Sequence, residues 1–96
     1  MNTKIKWTTK EDGGRKLPMA VNIKYCPIIT FPDAAYSIEN WSAEIFVQSQ
    51  INQYESNAKL SYLSEDAPFE LLRVGAEFEL REGSRLVATG IIISEA

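Results

Sequence analysis

The strongest constraint on the fold is the run from Ala76 to Ile93, where polarity alternates with period two on both sides of a single turn signal. Phe78 and Leu80 alternate with Glu77, Glu79 and Arg81, as in a strand with one buried face. Glu82-Gly83-Ser84 supplies a tight turn, with Gly83 free to take a positive φ. On the returning strand Val87, Thr89, Ile91 and Ile93 share one face, while Leu86, Ala88 and Ile92 share the other. Both faces are expected to be covered for part of its length. Gly90 interrupts this strand and is expected to mark a bulge or a bend.

Period-two segments recur earlier in the chain. Ile5 and Trp7 alternate with Lys4, Lys6 and Thr8, which predicts a strand with a polar outer face. Trp41, Ala43, Ile45 and Val47 alternate with Ser42, Glu44, Phe46 and Gln48, and Ala58, Leu60 and Tyr62 with Lys59, Ser61 and Leu63. Tyr25 to Pro32 reads as a short strand fenced by Pro27 and Pro32, and Ala20 to Ile23 as a brief extended piece. Lys10 to Arg15 is a charged loop in which Gly13 and Gly14 form the turn. Asp33 to Asn40 is read as a second loop. Ile51 and Tyr54 stand at helical spacing in a polar stretch too short to be assigned as a helix. Ser64 to Pro68 is turn chemistry, and Phe69, Leu71 and Leu72 are expected to plug one end of the core.

Short strands separated by turn signals, with no long helical period, predict a closed all-β barrel or a small sandwich. Closure answers a physical need, because an open sheet of this size leaves two unprotected edges. With 96 residues the chain, 1–96, is expected to be a single domain with one core.

The charge is unevenly distributed. The net value is −3, yet residues 1–16 carry +3, which leaves −6 for the rest. A basic end on an acidic body argues against general adhesion to nucleic acid but allows one positive patch. The single cysteine, Cys26, permits no internal disulfide and is expected to be a small buried hydrophobe. No signal peptide and no membrane-length apolar run is visible, so a cytoplasmic protein without a membrane partner is expected.

Reactive chemistry is poorly provided for. There is no histidine, hence no common general base, no common metal ligand and no partner for a nucleophilic serine. One cysteine does not make a zinc site, and no phosphate-cradling Gly-Lys-Ser/Thr loop is present. Glu11/Asp12 and Glu65/Asp66 are adjacent acids in turns, where solvation is the ordinary role. No catalytic residue, metal or cofactor is expected, and the chain is read as a non-enzyme.

The segment Phe-Glu-Leu-Arg-Glu-Gly-Ser-Arg-Leu-Val-Ala-Thr-Gly, residues 78–90, resembles the closing hairpin of the C-terminal β-barrel of bacterial elongation factor Tu. There the pattern runs Arg-Phe-Ala-Ile-Arg-Glu-Gly-Gly-Arg-Thr-Val-Gly-Ala-Gly. Residues 9–18, Thr-Lys-Glu-Asp-Gly-Gly-Arg-Lys-Leu-Pro, resemble the opening Lys-Asp-Glu-Gly-Gly-Arg-His-Thr-Pro of the same domain. Tyr25 and Pro27 match its Gly-Tyr-Arg-Pro segment, with Lys24 in place of the glycine and Cys26 in place of the arginine. The resemblance implies a closed six-stranded Greek-key β-barrel, standing alone and without the GTPase domain, so without GTP binding by this chain.

The resemblance also implies a binding surface. The family's barrel touches the T-stem backbone of aminoacyl-tRNA through two corners, which by position are Arg15 and Lys16 in one and Glu82 and Gly83 in the other. Arg15 and Lys16 would neutralise phosphates, Gly83 would bring backbone N–H groups close to one, and Glu82 would accept from a ribose 2′-hydroxyl. The family's loop histidine is Lys16 here and the second turn glycine is Ser84. A structural reading stands beside this one, in which Arg15, Arg81 and Glu82 pair across neighbouring strands. The same barrel in the parent factor is a protein-docking surface, and Tyr36, Trp41, Tyr54 and Phe69 are the aromatics that either serve such a patch or pack into the core.

Three functions follow as expectations. The first is a protein-binding module that mimics the elongation factor Tu barrel, as an inhibitor or a toxin-neutralising protein. The second is an accessory that binds a tRNA stem. The third is a free-standing barrel whose partner is unrelated to translation.

Overall fold

The structure is a computed structural model that describes residues 1–9, 20–32 and 41–95. Among these residues seven strands run in chain order: β1 (Asn2–Trp7), β2 (Lys24–Tyr25), β3 (Ile28–Thr30), β4 (Trp41–Gln50), β5 (Glu55–Tyr62), β6 (Glu77–Glu82) and β7 (Arg85–Ser94). Their alternation dictates their pairing. Ile5 and Trp7, Ala43, Ile45 and Val47, Ala58, Leu60 and Tyr62, and Phe78 and Leu80 are all buried, so each strand turns one face to a common interior. The sheet then closes: β1 pairs with β7 and β5, β5 with β4, β4 with β3, β3 with β6, and β6 with β7. Every pairing is antiparallel. The result is a closed six-stranded barrel with β2 as an additional short strand on β4. β3, β4 and β5 follow one another around the wall, and the chain then returns through residues 63–76 to place β6 beside β3, which is the Greek-key connection.

β2 and β3 are two pieces of one path along the same edge of β4, interrupted at Cys26-Pro27. The single strand expected over Tyr25 to Pro32 is therefore broken at Pro27, whose nitrogen has no proton to give to a ladder. Cys26 at this break is exposed, not buried as expected, because the register against β4 continues unchanged from β2 to β3 and puts Cys26 on the outer face, with Pro27 and Ile29 on the inner one. Ala20 to Ile23 is not extended. It bends at Val21 and Asn22, where Asn22 takes φ +61°. Residues 51–54 are a bend between β4 and β5, and no helix forms there. Asn52 shapes it by accepting hydrogen bonds from the Tyr54 and Glu55 amides at 2.9 and 3.0 Å.

The facing of β7 differs from the sequence expectation. Leu80 is opposite Ala88 but Arg81 is opposite Leu86, so Val87 is an extra residue, a bulge. Val87 and Ala88 are both buried, and beyond them the parity is reversed. Ile92 points inward with Ala88, while Thr89, Ile91 and Ile93 point outward, Ile91 being 38% and Ile93 50% exposed. Gly90, expected at a bulge or bend, lies in regular strand, opposite Ile5 on one side and Phe78 on the other.

The end opposite the β6–β7 turn is closed by residues 63–76. Ala67 is buried, and Leu71 and Leu72 pack on the core from the short 3-10 turn Phe69–Leu71 and the residue after it. Phe69 is half exposed and lies edge-on to Tyr62 with ring centroids 5.2 Å apart, so the plug expected of it is supplied by its neighbours. The Tyr62 hydroxyl donates to the Pro68 carbonyl at 3.2 Å, which ties this cap to β5. No helix among the described residues is long and apolar enough to cross a membrane.

Candidate functional site

The β6–β7 turn is built by its sequence. Glu82 and Arg85 are the last paired residues, with Gly83 and Ser84 between them. Gly83 takes φ +63° and Ser84 does not take a positive φ, the signature of a two-residue type II′ hairpin. Glycine is required only at the first of the two positions, so serine is accommodated at the second.

This turn shares its end of the barrel with several other elements, as the registers require. β1 leaves the barrel there: Trp7 is opposite Ala88, and the Thr8 amide donates to the Val87 carbonyl at 2.9 Å. The 51–54 bend is there too, since the Trp7 amide donates to the Tyr54 carbonyl at 2.7 Å. So is the 20–25 segment, because the Asn22 amide donates to the Val47 carbonyl at 2.7 Å.

Glu82 shares the parity of Phe78 and Leu80, so at the end of β6 it points toward the barrel mouth rather than away from the wall. Its carboxylate accepts a hydrogen bond from the Tyr25 hydroxyl, and Oε1 accepts one from Arg85 Nη2 at 2.6 Å. Tyr25 in turn lies against Trp7, ring centroids 6.0 Å apart. Trp7 is buried and donates its indole N–H to Ser56 Oγ at 3.0 Å. A chain of contacts thus runs from the turn through Glu82, Tyr25 and Trp7 into the core. It holds the corner in place by buried and charge-assisted hydrogen bonds.

Glu82 and Gly83 therefore stand together at the β6–β7 turn, Glu82 as its last paired residue and Gly83 at its first loop position. The cross-strand pairing of Arg81 with Glu82 is not what forms. Arg81 and Glu79 point to the outer face together and pair at 2.9 Å, while Glu82 takes Arg85 instead. Arg15, Lys16, Gly13 and Gly14 lie outside the described residues, as do Tyr36 and the Glu11/Asp12 pair.

Sequence reasoning missed three contributors. Arg85 is the mirror position to Glu82 across a two-residue turn, and that spacing alone would have flagged it. Val21 and Ile51 join Tyr54 as large apolar side chains exposed at this end, each a little over two-fifths accessible. They belong to separate stretches of chain, so no local pattern announces them. Of the other aromatics, Trp41 packs partly on the core and Phe69 is exposed at the opposite end. No protein-family model matches the chain, and no curated protein matches it significantly.

Proposed function

We propose that this chain is a non-enzymatic, protein-binding barrel that docks through the end carrying the Glu82-Gly83 turn, onto a protein that recognises the C-terminal barrel of elongation factor Tu. The observation that carries this reading is the engagement of Glu82 by Tyr25 and Arg85. A carboxylate already held by a phenol and a guanidinium is a fixed part of a preformed corner. It is poorly placed to exchange those partners for a ribose hydroxyl. Two further features favour protein over RNA. Cys26, standing where the resembled pattern has an arginine, is exposed beside Tyr25 and brings no positive charge. Val21, Ile51 and Tyr54 give the same end apolar area, which suits a protein interface better than a phosphate backbone.

The test is affinity capture from host lysate on immobilised chain, with and without nuclease, followed by elution with excess elongation factor Tu barrel domain. A captured protein that survives nuclease and is displaced by that domain supports the reading. Capture that disappears with nuclease turns the assignment to the tRNA-stem accessory. Capture that the barrel domain does not displace turns it to a partner outside translation.

A further inference from the structure

On the outer wall opposite this core, β7 is flanked by β1 on one side and β6 on the other. The registers set two rows across these three strands. Lys4, Ile91 and Glu77 form one, and Lys6, Thr89 and Glu79 form the next. All six side chains point outward, and a shallow groove runs over Gly90 between them. The lysines line one bank and the glutamates the other, two strand spacings or roughly 10 Å apart. Between the banks lie the exposed Ile91 and, further along β7, the half-exposed Ile93.

This arrangement is self-complementary, and from it we infer that two copies of the chain associate face to face through the β1–β7–β6 wall. A two-fold axis lying in the contact plane along β7 exchanges the banks and keeps each row at its own height. Lys4 of one copy then stands over Glu77 of the other, and Lys6 over Glu79, with each contact made twice. Ile91 meets its own symmetry mate at the axis, and the Ile91–Ile93 spine is removed from water. Within one chain Lys4 pairs with Glu55 at 3.3 Å and Glu79 with Arg81 at 2.9 Å. Each contact across the axis therefore joins one residue with such a neighbour, Lys4 or Glu79, to one from the other bank, Glu77 or Lys6. A wall three strands wide covers less than the roughly 1,200–2,000 Å² of a stable interface, so the dimer is weak and salt-sensitive. This face is the side of the barrel, distinct from the docking end above, and the inference does not depend on that reading.

Sedimentation of the full chain tests it, with two charge-reversed variants, Lys4→Glu/Lys6→Glu and Glu77→Lys/Glu79→Lys. The wild type should dimerise at high concentration and dissociate in about 1 M salt, where the screening length is about 3 Å. Each variant alone should associate at least tenfold more weakly, because its two banks now carry the same sign. An equimolar mixture should recover a heterodimer at least as tight as the wild type. Circular dichroism checks that each variant keeps its β spectrum. Ile91→Cys in a Cys26→Ser background should give a disulfide-linked dimer under mild oxidation, independently of the charge changes. A wild type that stays monomeric at millimolar concentration, or variants whose mixture does not associate, would overturn the inference.

Discussion

The ring of Phe78 occupies the space that a side chain at residue 90 would fill. A Cβ built on Gly90 would stand 2.4 Å from Cζ and 2.7 Å from Cε2 of Phe78. The two residues are paired across β6 and β7, and the ring is 1% exposed, with the Phe31 ring 6.4 Å away. The glycine is needed for space rather than for its backbone angles, since its φ is not positive.

Gly90→Ala should therefore destabilise the barrel by about 1–3 kcal/mol, the usual cost of overpacking a full core. Urea denaturation reads it. Adding Phe78→Leu should recover part of the loss, because the two sites share one volume.

Gly83→Ala has the opposite cause. Among the described residues, and apart from the glycine's chain neighbours, no atom lies within 4 Å of the added Cβ, but the backbone holds φ +63°. The expected cost is about 1 kcal/mol, from left-handed backbone alone, and Asn at this position should cost less than Ala.

The link from Glu82 to the core should be measurable as a coupled pair. Tyr25→Phe and Glu82→Gln should each cost about 1–2 kcal/mol or less, given partial exposure of the site. The double variant should lose less than the sum, and a denaturation cycle gives the difference. If the costs add, the Tyr25 hydroxyl is not holding the turn.

Glu55 has its pKa held below the ordinary 4.5, first by the hydrogen bond from Asn52 and then by that from Lys4. A depressed folded value stabilises the folded state above the unfolded pKa. That contribution is lost as pH falls through the folded pKa, so it disappears at acid pH below 4.5. NMR titration of Glu55 should show the low midpoint, and Asn52→Ala should move it up toward the ordinary value.

Cys26 should react with a thiol reagent in the native protein nearly as fast as in denaturant, because its side chain is exposed. A reaction limited by unfolding would contradict its position at the β2–β3 break.

Much of the barrel is legible in the chain because strand alternation is local. Ile5/Trp7, Ala43/Ile45/Val47, Ala58/Leu60/Tyr62 and Phe78/Leu80 declare their buried faces by spacing alone, and Gly83 declares its turn. The candidate site was half legible. The Glu82-Gly83-Ser84 turn can be read from its residues, whereas the exposure of Val21 and Ile51 at the same end cannot, since separate stretches of chain bring them there.

What the sequence by itself determined was the list of strands, the inward side of most of them and the β6–β7 corner, because period two is set by the backbone within each segment. Tertiary structure alone decided the rest. It placed the extra Val87, which sends Ile91 and Ile93 outward. It also brought Tyr25, from a distant stretch of chain, to Glu82. One inserted residue reverses every later side chain in a strand, and the register that reveals it exists only once the neighbouring strands are in place.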